Sequence, residues 1–168
     1  MNKAFTLIEL LISIIILSII MLFLYKSYAS VNRINIFHKE KAKNIQDLEL
    51  KKKILFLDFS LGSNIKILNQ EKTEDVVFMQ TTNSIHNRYN PYIAYLIADS
   101  KLYRLESLTI FNEYPLSSEI KFSFECFGEV DGFRVYKSQD DEQNSYLLHV
   151  DFKDDEDILI KTKALNEN

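Results

Sequence analysis

The strongest pattern in the chain is an unbroken apolar run. Between positions 5 and 25 nearly every residue is Ile, Leu, Phe, Met or a small residue, and the only charged side chain is Glu9. As a helix rising ~1.5 Å per residue the run would measure about 31 Å, close to the hydrocarbon thickness of a bilayer. Past it, apolar residues recur at helical spacing at Val31, Ile34, Phe37, Ile45, Leu48, Leu55 and Phe59. Lys39, Glu40, Lys43, Asp47, Lys51 and Lys52 fill the other face. No Gly or Pro occurs before Gly62. The pattern predicts one helix from about residue 5 to about residue 60, its first half in a membrane. The second half is expected to lay its apolar stripe on a globular domain.

From about residue 64 the pattern changes to short apolar runs separated by turn residues. Runs at 65–68, 76–80, 92–97, 101–106, 108–111, 120–127, 132–136, 146–152 and 158–162 read as strands. Ala98-Asp99-Ser100 and Asp154-Asp155-Glu156-Asp157 read as hairpin connections. The expected product is an α+β layer arrangement, a long N-terminal helix packed on an antiparallel sheet of six to nine strands. The domain organisation is then a span at 5–25, the extramembrane half of the helix at 26–60 and a sheet domain at 61–168.

Composition narrows the chemistry. The 168 residues contain one Cys and three Gly. These exclude a disulfide framework, a multi-Cys zinc site and a Gly-rich phosphate loop. A net charge of −4 argues against a general nucleic-acid-binding domain. The charge is nevertheless segregated. Residues 26–53 carry eight Lys or Arg against three acids, whereas residues 138–168 carry nine acids against three Lys. The basic stretch suits lipid headgroups, anionic neighbours or a plain solvated helix face. The lysines and arginines are therefore most concentrated on the helix, and direct DNA binding is not expected.

His38, His86 and His149 lack ligand-like companions at helical spacing, and no cofactor is implied. Cys126 sits among apolar residues and reads as a buried thiol. Asp151, Asp154, Asp155 and Asp157, or Asp140, Asp141 and Glu142, offer hard oxygen ligands that calcium could take. However, the EF-hand spacing with its central Gly is absent, and a charged turn needs no ion. No catalytic grouping is identifiable, and no enzymatic activity is expected.

The N-terminal run admits three readings. A secretory signal peptide would be cut after Ser27-Tyr28-Ala29, but the run is too long and contains an acid. A generic anchor explains the length but not Glu9, since a carboxylate at the centre of a membrane helix costs about 3 kcal/mol on insertion scales. The third reading rests on Lys3-Ala4-Phe5-Thr6-Leu7-Ile8-Glu9-Leu10-Leu11. This string resembles the N-terminal signature of type IV pilins and type II secretion pseudopilins.

The resemblance implies a leader at residues 1–4, cleavage by a prepilin peptidase between Ala4 and Phe5, and N-methylation of Phe5. Ala4 stands where the family usually has Gly. Cleavage would place a cationic amine one helical turn from Glu9. Glu9 then becomes an assembly residue that meets the amine of a neighbouring subunit, a pairing strengthened by low dielectric and opposed by desolvation. Lys3 favours a cytoplasmic N-terminus and hence a periplasmic C-terminal domain in a single-pass inner-membrane protein.

A second resemblance concerns Leu57-Asp58-Phe59, Tyr95-Leu96-Ile97 and Lys101-Leu102-Tyr103-Arg104. Together they are similar to the helix end and following strand pair of the J kind of minor pseudopilin. The resemblances imply a pilin-like fold and a structural subunit of a type II secretion-like pseudopilus or a DNA-uptake machine. Its partners would be other pseudopilins or pilins, prepilin peptidase, inner-membrane platform proteins and membrane lipid. Two alternatives stay open: a minor pilin of a type IV pilus, and an anchored or secreted binding protein with a chance motif.

Overall fold

The computed structural model describes residues 7–69, 73–138 and 144–165. One helix, α1 (Leu7–Ser60), precedes seven strands. These are β1 (Ser63–Asn69), β2 (Asp75–Gln80), β3 (Tyr92–Ala98), β4 (Lys101–Ser107), β5 (Phe122–Lys137), β6 (Ser145–Phe152) and β7 (Ile158–Lys163). All neighbours pair antiparallel in sequence order. The expected α+β arrangement, a long apolar N-terminal helix packed with an antiparallel sheet, is what the structure shows, and the architecture is pilin-like. The chain divides into two compact units, Met1–Asp47 and Leu48–Asn168.

In the first unit, every described side chain of α1 up to Asp47 is exposed. The helix is nevertheless continuous, because nothing in it interrupts the backbone ladder. In the second unit, the last turns of α1 are the centre of the core. Leu55 and Phe59 are fully buried, and Phe59 rests against Tyr95 and Tyr146. The apolar stripe is thus covered only from Leu48 onward, while Val31, Ile34, Phe37 and Ile45 are exposed. The reason is length. Apart from the bent β5, the strands have six to eight residues, span roughly 20–26 Å and can cover only the final turns of the helix. The helix ends at Ser60, and the chain leaves it through Gly62, where an added Cβ would lie 2.7 Å from the Asp58 carbonyl oxygen, so glycine suits this exit.

The strands alternate between two cores. On the helix side lie Val77, Met79, Ile93, Tyr95 and Leu102. On the outer side Val76, Phe78, Ala94, Leu96 and Leu105 form a second cluster closed by Phe111. Burial on both faces explains why β2 and β3 read as near-continuous apolar runs. Residues 108–111, expected as a strand, are instead a loop whose Phe111 stacks on Phe78 at 6.0 Å. The apolar content serves a plug, not a ladder.

Residues 120–127 and 132–136, expected as separate strands, form the single strand β5. Gly128 and Gly132 look like strand ends but mark irregularities within it. The pairing register shifts at Phe127 and again at Asp131, and Gly128 takes a φ of 119°. The strand bends there and transfers its pairing from β4 to β6. Its second half returns to the start of β2, where Phe133 N donates to Thr73 O at 2.9 Å. The sheet therefore curls around the end of α1. β7 joins the same helix end through Ser60 Oγ and Thr162 Oγ1 at 2.6 Å and through Leu165 N to Ser60 O.

The other strand expectations, and the hairpin at Ala98-Asp99-Ser100, match the observed elements. Asp99 and Ser100 both take positive φ, as a two-residue hairpin of this hand requires. Cys126, expected to be buried, is exposed. It lies on the same face of β5 as the exposed Phe122 and Phe124, while the buried Phe127 points to the other face.

Candidate functional site

Two features stand out, one in each unit. In the first, residues 7–25 present apolar side chains all round the helix. Ser13 and Ser18 donate their hydroxyls to the carbonyl oxygens of Glu9 and Ile14, each at 2.8 Å. Both hydroxyls are thereby satisfied within the helix and need no water, which suits a lipid or protein surrounding. α1 is long and apolar enough to cross a membrane. Glu9 lies in its first turn, where the helix dipole favours a negative charge. Ala4 and Phe5, the expected cleavage and methylation positions, lie outside the described residues.

The second feature is a buried polar cluster at the end of α1. Arg104 of β4 is fully buried. Its Nε donates to Asp58 Oδ2 at 2.6 Å, its Nη2 to Asp58 Oδ1 at 3.1 Å, and its Nη1 to Glu106 Oε2 at 2.8 Å. Tyr95 donates its hydroxyl to Asp58 Oδ2 at 2.6 Å, and Asn83 Nδ2 donates to Asp58 Oδ1 at 2.8 Å. Glu106 in turn holds the β2–β3 loop, accepting from Ser84 Oγ at 2.6 Å and from the Ile85 amide at 3.1 Å. Arg88 donates to the Glu106 carbonyl oxygen and, at 2.8 Å, to Ser123 Oγ.

The electrostatics follow from these contacts. Burial, then the neighbouring Asp58 charge, pushes the Tyr95 hydroxyl well above its usual value of 10.0, so it stays a donor. Burial opposes the Arg104 charge, but the hydrogen bond and charge of Asp58 outweigh it and keep the guanidinium protonated. Burial also opposes the Glu106 charge. The hydrogen bonds from Ser84, Arg104 and the Ile85 amide prevail and lower its pKa. Asp58, Tyr95, Arg104 and Glu106 are enclosed and mutually engaged, and the half-buried Asn83, Ser84 and Arg88 extend the cluster into the loop, so it joins helix, sheet and loop.

A smaller junction closes the curl. Asp75, almost fully buried, accepts the Val135 amide at 2.8 Å and faces Arg134 Nε at 3.5 Å.

Sequence reasoning quoted Asp58, Tyr95 and Arg104 within a resemblance but assigned them no role. A signal was present. Leu102, Arg104 and Glu106 share one parity of β4, and Leu102 points at the helix. A charged pair at that parity must be buried and paired.

The acidic candidates do not converge as one set: Asp151 and Asp157 are neighbours, whereas Asp155 turns to the helix. Asp155 pairs with Lys51 Nζ at 3.3 Å, and Asp157 lies 4.0 Å from His149. Partial burial, then the Asp157 carboxylate beside it, raises the Asp151 pKa. Among the described residues no group of three His, Cys, Asp or Glu is arranged to hold a metal ion. Asp140, Asp141 and Glu142 lie outside the described residues.

An apolar N-terminal helix running into a curled antiparallel sheet defines the class of pilin-like proteins able to anchor in a membrane. Residues 1–25 match the family model described as the prokaryotic N-terminal methylation motif. The motif supports a type IV pilin-like subunit that is processed by prepilin peptidase and assembles with other pilins, a structural role. No curated protein and no solved structure gives a significant match.

Proposed function

We propose that the chain is a non-enzymatic minor pseudopilin, a subunit of a type II secretion-like pseudopilus or of a related DNA-uptake machine. The observation that carries the reading is the methylation motif over residues 1–25, leading directly into a helix whose apolar side chains are exposed up to Ile45. Such a surface needs lipid before assembly and neighbouring helices after it. The precursor enters the inner membrane with its N-terminus cytoplasmic, is cut after Ala4 and is methylated at Phe5. Glu9 guides docking by pairing with the Phe5 amine of a neighbouring subunit, and residues 5–25 join the filament core. The sheet unit is then periplasmic. Inner-membrane platform proteins and lipid contact the helix, and the assembly motor is a separate protein.

Mass spectrometry of the mature N-terminus tests the reading. N-methylated Phe5 is the expected first residue. A start at Ser30, or a retained Met1, would refute it. Co-purification of the mature chain with secretion or uptake components identifies the machine.

A further inference from the structure

Two depressions adjoin where β1 and β3 begin and β2 ends. The larger, of about 210 Å³, has the buried Phe78 and Phe111 and the half-buried Tyr92 in its lining, together with Asn64, Gln80 and Asn112. The smaller, of about 110 Å³, is lined by Leu61, Ser63, Gln80, Thr81, Thr82 and Asn90. Gln80 lines both and divides them. It is fixed in place. Its Nε2 donates to the Asn90 carbonyl oxygen at 3.1 Å, and its own carbonyl oxygen accepts from Ser63 Oγ at 3.3 Å. Together the two depressions reach the volume of about 300 Å³ at which small-ligand sites begin.

Their chemistry is neutral. Among the described residues neither lining contains an acid, and the one cation, Lys66, donates to the Asn112 carbonyl oxygen at 3.2 Å. An anionic ligand therefore meets a single, engaged charge, and a lipid meets no continuous apolar surface. The linings offer amides and hydroxyls instead. A side-chain amide presents a donor and an acceptor next to each other, which answers the adjacent hydroxyls of a sugar ring. In the larger depression the amides stand beside aromatic rings. That combination fits an acetamido group, whose methyl needs apolar contact and whose N–H and C=O need polar partners. The smaller depression fits ring hydroxyls.

Two further features show a prepared surface. Asn64 and Asn90, one in each lining, take φ of 54° and 44°. Asparagine tolerates this backbone, but glycine holds it with less strain, and both positions keep an amide. The loop carrying Thr82 and Asn90 is also anchored by the buried cluster. Glu106 accepts from Ser84 Oγ and the Ile85 amide, and Arg104 Nη2 donates to the Asn83 carbonyl oxygen at 3.0 Å. One wall is thus ordered before any ligand arrives, which lowers the entropic cost of binding.

We propose that the two depressions bind adjoining sugar units of an N-acetylated glycan, with an acetamido group in the larger and ring hydroxyls in the smaller. This binding concerns the sheet unit alone and is independent of leader removal.

The test is isothermal titration calorimetry of the full-length chain in detergent micelles. The probes are the tetrasaccharide of N-acetylglucosamine and the tetrasaccharide of glucose with the same linkage, which lacks the acetamido groups. The N-acetylated probe should bind about tenfold more tightly, through the added hydrogen bonds and the buried methyl. Asn64→Gly and Asn90→Gly each remove an amide and suit the positive φ, so the fold is retained. Each should weaken binding about tenfold, the loss of a donor and acceptor pair. Asn87→Gly is the control. Asn87 also has positive φ, at 56°, but lies in neither lining, and its variant should bind like the unaltered chain.

No binding of the N-acetylated probe, equal binding of the glucose probe, unchanged binding by either Asn64→Gly or Asn90→Gly, or an equal loss in Asn87→Gly would each overturn the proposal. Co-sedimentation with peptidoglycan sacculi then separates the sources. Sedimentation assigns the glycan to the cell wall, and binding of the tetrasaccharide without sedimentation assigns it to another N-acetylated polysaccharide; both support the site.

Discussion

Arg104 is the residue on which the end of the helix most depends. Replacing it with Met keeps much of the volume and removes the one guanidinium that faces both buried carboxylates. Asp58 loses two of its four hydrogen bonds and keeps those from Tyr95 and Asn83. Glu106 loses one and keeps those from Ser84 and from the Ile85 and His86 amides. Stranding a buried charge in this way costs about 3–5 kcal/mol. A domain of this size has only about 5–15 kcal/mol in total. Arg104→Met should therefore remove a large part of the stability of the second unit.

The asymmetry of the bonds sharpens the expectation. Because Asp58 depends more on Arg104 than Glu106 does, Asp58→Asn should rescue Arg104→Met more than Glu106→Gln does. The Asp58–Arg104 pair should show a coupling of about 2–3 kcal/mol in a double-mutant cycle. The assay is urea unfolding of the full chain in detergent micelles, followed by near-UV circular dichroism of the tyrosines. Tyr95 and Tyr146 are fully buried and report on this core. A loss below about 1 kcal/mol for Arg104→Met, or additive costs in the cycle, would refute the reasoning.

Further expectations follow from the same geometry. The Glu106 pKa is lowered in the folded state, so its contribution to stability is full above the unfolded glutamate value near 4.5 and is lost as pH falls through the folded value. Glu106→Gln should flatten the acid limb of a stability–pH curve, and an unchanged limb would exclude this origin. Phe59→Ala empties the centre of the helix-side core and should cost about 3–5 kcal/mol by urea titration. Gly128→Ala has space for a methyl group but forces a φ of 119° on an L-residue, so it should cost about 1–3 kcal/mol. Glu9→Ala should leave N-terminal processing intact but reduce incorporation into filaments, measured by co-sedimentation of processed subunits; normal incorporation would refute the pairing of Glu9 with a neighbour's amine.

The elements best read from sequence are those whose pattern is local. The helix is legible because no Gly or Pro interrupts it and its apolar spacing is regular, and its end is legible because Gly62 follows it. β3 and β4 are legible because two strand-length runs rich in apolar residues flank a two-residue turn. β5 was misread because Gly128 and Gly132 carry the same local signal whether a strand ends or bends. Residues 108–111 were misread because an apolar run does not reveal whether it joins a ladder or plugs a cluster. Cys126 is illegible because an apolar neighbourhood does not reveal which face of a strand is covered: it shares its face with the exposed Phe122 and Phe124.

The sequence by itself determined a spanning apolar segment with one acid, its continuation as a helix, and a sheet after it. These follow from hydrophobicity and periodicity, which act between near neighbours. Only the tertiary structure decided which turns of the helix are covered, where the sheet bends, and that Asp58, Tyr95, Arg104 and Glu106 meet. Asp58 and Arg104 stand 46 positions apart, and their contact exists because β4 packs its inward face against the end of α1. A buried charge becomes legible only when the partner that permits its burial is in place, and that partner is supplied by the fold.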